Sequence, residues 1–141
     1  RPRGIVASPD HTLLYVALSG SAIGGPNVDE SKLPPPDRKA DGIGVVDIKT
    51  LKLVKVLPSG PDPEQVAVSP DGKQVYVANE DAAQLSVIDT NDGHLIQSFK
   101  VGDEPEGVTV EGGGRPRVRT PGGAGAGARS PPGRPCAPGW S

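Results

Sequence analysis

The stretch IGVVDIKTLKLVKVLPSGPDPEQVAV, residues 43–68, decides the fold because the chain contains it twice. The second copy is LSVIDTNDGHLIQSFKVGDEPEGVTV, residues 85–110, which follows at an offset of 42. Identical residues recur at this one offset, and they are Val45/Val87, Asp47/Asp89, Gly60/Gly102, Pro63/Pro105, Glu64/Glu106, Val66/Val108 and Val68/Val110. A constant register over this length indicates an internal repeat whose period equals that offset.

A further, partial copy precedes the first one. Residues 2–17 match residues 63–78 at an offset of 61, and both segments contain SerProAsp followed by TyrValAla. Because the offset rises from 42 to 61, about 19 residues are inserted in the earliest copy. The insertion falls at about 19–41 and includes the proline run 34–36, which cannot continue a β-ladder. We therefore predict a loop there.

Within one period, short apolar segments alternate with turn signals. SerProAspGly at 69–72 and AsnAspGly at 91–93 are both typical of tight turns between antiparallel strands. Four short antiparallel strands in a period of this length predict one blade of a β-propeller. Residues 1–110 are thus predicted to be all-β, a partial β-propeller of four-stranded blades. The predicted strands of one blade cover residues 65–68, 74–78, 85–89 and 95–100.

The sequence changes character after residue 110. The repeat predicts another SerProAspGly turn and a ValTyrVal strand at 111–119, but these motifs are missing. In residues 111–141, Gly, Ala, Pro and Arg make up 24 of 31 positions, without apolar periodicity. One interpretation is a disordered low-complexity tail. The other is a shifted reading frame near codon 111 of a GC-rich gene, because GC-rich codons specify these four residue types. Under either interpretation, this segment is not expected to pack.

Charge and composition exclude several classes of function. Residues 111–141 hold five of the 15 basic and one of the 17 acidic side chains, which leaves residues 1–110 with a net charge of −6. An acidic surface of this kind argues against nucleic-acid or anionic-membrane partners. No apolar run is long enough to predict a membrane span. The chain begins with Arg1 and shows no signal-peptide pattern, as expected of an internal or processed piece.

Several short motifs resemble the YVTN family of β-propeller repeats. They are SerProAspGly at 69–72, TyrValAlaAsn at 76–79 and ValIleAsp at 87–89. A second set resembles, more narrowly, the periplasmic propeller proteins associated with pyrroloquinoline-quinone-dependent catabolism. This set is ArgProArgGlyIle at 1–5, LeuProSerGlyProAspProGlu at 57–64, AlaAsnGluAsp at 78–81 and GluProGluGly at 104–107. The resemblance covers residues 1–110, and the insertion departs from the usual blade.

The resemblance implies a closed ring of about seven blades and a periplasmic or extracellular location. It also implies a non-catalytic binding or accessory role, with a protein partner or small ligand on the rim. No cofactor is expected in this segment, and further blades are needed to close the ring. Two alternatives stay open. One is the propeller part of a quinoprotein or haem-linked dehydrogenase, whose cofactor other blades would hold; the other is an extracellular surface or adhesion module.

Two groups of residues are candidate binding sites. Arg3, Glu64 and Glu106 occupy equivalent positions at the start of the innermost strands, where a mostly acidic ring could attract a cation or a basic partner. The alternative is that they are solvated corner residues beside structural prolines. The second group lies in the insertion, where charged side chains could contact a partner or merely face solvent. These residues are Asp29, Glu30, Asp37, Arg38 and Asp41.

Both groups are predicted to share one rim. Strand direction alternates within a blade, so the loop after the second strand leaves on the same side as the segment that joins two blades. The other titratable candidates, His11 and His94, lie beside turns and have no second His or Cys at ligand spacing. We therefore predict no metal site. Asp47 and Asp89 end equivalent strands, and their repetition favours a structural role.

Overall fold

Ten β-strands account for nearly all regular structure in the computed structural model, which describes residues 1–121. Two short 3₁₀ turns, Glu30–Lys32 and Arg38–Ala40, lie in the insertion. Among the described residues, no helix has the length and apolar character that crossing a membrane requires. The strands are β1 (Pro2–Ala7), β2 (Leu13–Leu18), β3 (Gly42–Asp47), β4 (Lys52–Leu57), β5 (Pro63–Val68), β6 (Gln74–Asn79), β7 (Gln84–Asp89), β8 (Leu95–Lys100), β9 (Gly107–Val110) and β10 (Pro116–Arg119).

The strands form three separate antiparallel sheets. Blade 1 has the order β1-β2-β3-β4, blade 2 has the order β5-β6-β7-β8, and blade 3 consists of the described pair β9-β10. The innermost strands β1, β5 and β9 lie side by side in that order. This architecture confirms the predicted all-β partial propeller. Residues 19–41 connect β2 to β3, whereas residues 80–83 make the equivalent connection in blade 2.

Two apolar cores hold the blades together. Strand alternation sends one set of blade 1 side chains, including Tyr15 and Val45, against Val66 and Val77 of blade 2. The opposite faces of blade 2 strands send Tyr76 and Leu85 toward blade 3. Adjacent sheets therefore bury the apolar residues of the faces that they share, as propeller blades do.

Two equivalent tyrosines cross the blade boundaries. The Tyr76 hydroxyl lies 3.3 Å from the Gly114 carbonyl oxygen of blade 3, to which it donates. Tyr15 occupies the same position in blade 1 and is buried in the core that blade 1 shares with blade 2. Burial raises the pKa of both phenols above the usual value of 10.0, so both stay protonated at neutral pH. The repeated tyrosine thus joins successive blades.

The structure corrects the prediction that nothing packs after residue 110. Strand β10 pairs with β9, and Val118 lies opposite Val108. Val118 is buried against blade 2, so one apolar residue is enough to place this strand. Gly113 and Gly114 adopt φ values of 99° and 77°, which lets this turn form without the SerProAspGly motif. The remainder of the predicted tail, 122–141, lies outside the described residues.

Candidate binding rim

The insertion and the segment between blades 1 and 2 meet at one rim, as predicted. The backbone N–H of Asp62 donates to Asp41 Oδ2 at 3.1 Å, which ties the interblade corner to the end of the insertion. Ser19, at the start of the insertion, donates its hydroxyl to Asp62. Arg38 forms an ion pair with Asp81 of blade 2. The insertion therefore bridges two blades.

Asp41 fixes the base of the insertion. Its side chain is almost fully buried, and it accepts the Gly20 N–H at 2.7 Å and an Arg38 N–H at 3.3 Å in addition to the Asp62 N–H. A buried carboxylate with several donors is strongly held in one orientation. The sequence grouped Asp41 with the solvated charges of the loop, because blade 2 has Ala83 at the equivalent position and the repeat gave no signal.

Arg3 is the centre of a charged cluster at the start of the innermost strands of blades 1 and 2. Its guanidinium lies 3.5 Å from Asp62 Oδ1 and 3.1 Å from Glu80 Oε2, and it also forms an ion pair with Glu64. Arg3, Asp62 and Glu64 are largely buried. One positive charge therefore faces three carboxylates, and the cluster is net negative when all are ionised.

The ionised form of Glu80 is disfavoured in this cluster. Burial raises the pKa of the Glu80 carboxyl above its usual range, and the nearby Arg3 charge opposes that shift. The negative charges of Asp62, Asp81 and Glu104 raise the Glu80 pKa further. Glu80 therefore holds a proton, or attracts a cation, more readily than an isolated glutamate would.

The next blade junction has acidic residues without such a cation. A cleft of about 300 Å³ lies between blades 2 and 3, and Glu80 and Asp81 form one wall. Asp103 and Glu104 from the following corner, together with Ala83, complete the lining. In the part of the chain that the structure describes, Asp103 and Glu104 form no ion pair. Four carboxylates thus share one concave surface.

The two corners show how the junctions differ. Asp62 and Glu104 are equivalent residues, and both adopt left-handed backbone with φ of 50° and 49°. Asp62 is buried under Arg3 and Ser19, whereas Glu104 is exposed on the cleft. The repeat gave no signal for Asp103 and Glu104, because the residues one period earlier are Pro61 and Asp62 rather than identical copies.

The predicted channel residues do not all come together. Arg3 and Glu64 are in contact, but Glu106 is exposed on the next blade, where its backbone N–H donates to the Arg119 carbonyl at 3.0 Å. Glu106 does not contact Arg3 because one blade separates them. Glu106 occupies the position that the repeat predicts, at the start of an innermost strand. Among the described residues, it does not share the contact with Arg3 that Glu64 makes.

The predicted loop residues are also dispersed. Asp29 is exposed and lies 3.2 Å from Lys32 Nζ, which holds the tip of the loop together. Asp37 caps the second 3₁₀ turn by accepting the Lys39 N–H at 3.1 Å. Glu30 begins the first 3₁₀ turn. Of the predicted loop residues, Arg38 and Asp41 are the two that the structure ties to blade 2 and to the corner before it.

A group of potential metal ligands occurs on the opposite rim. Asp89, Asp92 and His94 place ligand atoms within 4.8 Å of one another. Asp89 accepts the Asn91 N–H at 2.8 Å, and Asp92 accepts the His94 N–H at 3.0 Å. Their hydrogen bonds belong to the β7–β8 turn, which accounts for the grouping. His11 is likewise a turn residue, with φ of 58°.

Comparison with known proteins gives the family. A family model described as a YNCE-like beta-propeller matches residues 27–115, which is more than half of the chain. The match agrees with the stacked four-stranded blades described above, and both identify a β-propeller repeat protein. The chain belongs to the YNCE-like beta-propeller family.

Three similar proteins are informative. Antigen Lp49 of Leptospira interrogans serogroup Icterohaemorrhagiae serovar copenhageni (strain Fiocruz L1-130) is 26% identical over 153 residues, covering 77% of this chain and 34% of Lp49. Hydrazine synthase of Kuenenia stuttgartiensis aligns with a TM-score of 0.64 and 27% identity, covering 83% of this chain and 28% of that one. Dihydro-heme d1 dehydrogenase NirN, in complex with DHE, aligns with a TM-score of 0.60 and 22% identity, over 83% and 23%.

The extent of these matches limits what they imply. The chain spans about a third of the length of Lp49, and less of the two enzymes. At 22% identity, the NirN alignment shows a shared fold alone. Propellers support unrelated functions, so the fold by itself assigns no activity.

Proposed function

We propose that this chain is part of a non-catalytic periplasmic or extracellular β-propeller protein, which binds a cationic ligand or a basic protein partner through its rim. The observation that carries the proposal is the cleft lined by Glu80, Asp81, Asp103 and Glu104. The resemblance to periplasmic propeller proteins and the similarity to an antigen support the location.

The acidic residues of the cleft indicate that its ligand is positively charged. Four carboxylates share this concave surface, and among the described residues two of them, Asp103 and Glu104, are not paired with a basic side chain, so a positive group placed beside these two relieves the repulsion. Glu80 and Asp81, the other two carboxylates, are already paired with basic side chains of the protein, because Arg3 pairs with Glu80 and Arg38 pairs with Asp81. A ligand that offers a guanidinium or ammonium group to the cleft would extend this arrangement to Asp103 and Glu104.

A neutralising double variant tests the cleft. In Asp103→Asn/Glu104→Gln, both side chains keep their shape and lose their charge. Affinity for a fluorescein-labelled tetralysine probe, measured by anisotropy at low salt, should fall about tenfold, which corresponds to about 1.4 kcal/mol. The matched control is Asp92→Asn/Glu111→Gln, which changes the net charge equally at exposed acids in the turns of the opposite rim.

The two variants separate a local site from a general charge effect. We expect the control to retain most of the affinity, because its charges are removed from other surfaces. Equal losses in both variants would show that the probe responds to net charge and would overturn the proposed site. Unchanged binding in the cleft variant would do the same.

A propeller unit within a larger enzyme is the second candidate. The 27% identity with hydrazine synthase favours it, since that match covers 83% of this chain. The test is the absorbance spectrum and haem stain of the longest product of the gene. Bound haem in that product would favour the redox enzyme, and its absence together with rim binding would favour the binding protein.

A further inference from the structure

The outermost strands carry exposed apolar pairs at equivalent positions. Leu53 and Val54 lie on β4, and Leu95 and Ile96 lie on β8 at the repeat offset of 42. Their exposed fractions are 59% and 58% in blade 1, and 58% and 43% in blade 2. Large aliphatic side chains at repeated exposed positions are unusual on a soluble surface unless something covers them.

A missing neighbouring blade does not account for this exposure. Blade 2 lies between blade 1 and the described strands of blade 3, yet Leu95 is as exposed as Leu53. Ile5 shows the contrast, because it is 59% exposed where its equivalent Val66, covered by a neighbouring blade, is 4% exposed. Leu95 lies opposite Ile88, on the face of blade 2 that blade 1 covers, and is exposed although that neighbouring blade is present. By the repeat, we expect Leu53 to stay exposed when a blade precedes it.

Local backbone geometry holds these pairs outward. The registers of β3 with β4 and of β7 with β8 both shift, so that Val54 and Ile96 are the extra residues of two β-bulges. A bulge interrupts the ladder and turns its side chain out of the sheet. It also protects the edge strand from simple strand addition, so a partner would bind through side chains.

The same edge is basic, although residues 1–110 are acidic as a whole. The charged residues of β4 and β8 are Lys52, Lys55 and Lys100, and neither strand contains a carboxylate. The Lys55 ammonium donates to the carbonyl oxygens of Thr90 at 2.9 Å and Asn91 at 2.7 Å. This contact joins the edge of blade 1 to the turn that precedes Leu95, so β4 reaches the point at which β8 begins.

We propose that this outer edge, formed by β4 and β8, docks an acidic polypeptide segment of a partner protein with two apolar anchors. The apolar side chains of the segment would contact Leu53 and Leu95, and its carboxylates would face Lys52 and Lys100. An anionic bilayer fits less well, because the edge has few lysines and neither Trp nor Tyr in its strands. The proposal is independent of the acidic cleft.

The experiment uses the whole chain and a defined probe. The probe is a labelled peptide with two Leu-Val pairs joined by Asp and Glu residues, and its counterpart carries Lys at the acidic positions. Fluorescence anisotropy should show that the acidic peptide binds to the chain and that the lysine-containing peptide does not. Leu53→Ser/Leu95→Ser should reduce its affinity at least about tenfold, because burial of the two leucines is lost. Lys52→Glu should reduce it severalfold.

Matched variants and vesicles decide between explanations. Ile23→Ser removes an equally exposed apolar residue of the insertion, and Lys39→Glu reverses an exposed charge there; both should bind like the parent chain. All substituted residues are exposed, so unchanged circular dichroism is expected. Equal binding by all variants, or loss in the Ile23 control, would overturn the proposal. Binding to mixed phosphatidylcholine and phosphatidylserine vesicles in place of the peptide would also overturn it.

Discussion

At the scale of single residues, Glu80 is where ionisation and folding are most directly coupled. Its carboxyl lies 3.1 Å from Arg3, yet burial and three nearby carboxylates leave its pKa above the usual value of 4.5. A group that binds its proton more tightly in the folded state stabilises that state at low pH. This contribution is complete below about pH 4.5 and is lost as pH rises through the folded pKa.

We predict that Glu80→Gln removes this dependence. The variant should gain stability relative to the parent chain as pH is raised from 4 to 7, which denaturant titrations at both values measure. Asp71 is the opposite case, because hydrogen bonds from Ser69 and Lys73 lower its pKa. The stabilisation by Asp71 is therefore present above its usual pKa of 3.8 and is lost as pH falls below that value. Asp71→Asn should thus show no gain relative to the parent from pH 4 to 7 and should differ in the acidic range below pH 4. A parallel response of the two variants would contradict the electrostatic assignment.

At the scale of elements, β10 is where sequence and structure diverge. Its only large apolar residue, Val118, is buried between blades 2 and 3, and the strand lacks the flanking motif of the repeat. A turn signal is sufficient for a hairpin but is not necessary when consecutive glycines provide left-handed positions. The repeat pattern therefore does not predict β10, and tertiary packing forms it.

Removing two methyl groups tests whether β10 is held by this contact. Val118→Ala should lower the free energy of unfolding by about 1–3 kcal/mol. Val54→Ala removes the same groups from an exposed position and should change stability by less than about 0.5 kcal/mol. Hydrogen exchange of the β9 and β10 amides provides the local measurement. Equal effects of the two substitutions would show that β10 contributes nothing to the blade 2 core.

The sequence predicted the regular part of the fold well because the two types of signal coincide there. Alternating apolar residues and tight-turn motifs recur once in every period, and the strands of blades 1 and 2 follow them. The residues of the binding rim were harder to predict from the sequence. Asp41, Asp103 and Glu104 have no identical copy one period away, and the contact of Arg3 with Glu80 joins residues that no local pattern relates. Repetition identifies scaffold positions, whereas these rim groups lie where the copies differ.

At the scale of the whole molecule, the first blade presents an uncovered apolar face. Ile5 is exposed on it, and Leu14, Val16 and Val46 on the same side are half-buried, although equivalent residues of blade 2 are buried in the interblade core. Uncovered apolar sheet faces promote association. The chain of this length is therefore expected to aggregate.

A charge placed on this face should suppress aggregation. Ile5→Lys should raise the protein concentration at which light scattering appears severalfold. Ile23→Lys places the same charge at an equally exposed isoleucine of the insertion and should have little effect. If both variants behave alike, net charge rather than the blade face controls association. A monomeric parent chain with a cooperative thermal transition would contradict the premise itself.

The unequal connections of the two blades also affect how a rim partner would be oriented. Repeated blades give a propeller approximate rotational symmetry, so a partner that recognised repeated features alone could bind in several orientations. The long connection at 19–41, held to blade 2 by Asp41 and Arg38, breaks that equivalence between the two complete blades. A partner that contacts both the insertion and the rim would bind in a single orientation about the propeller axis. Each insertion would therefore bind one partner.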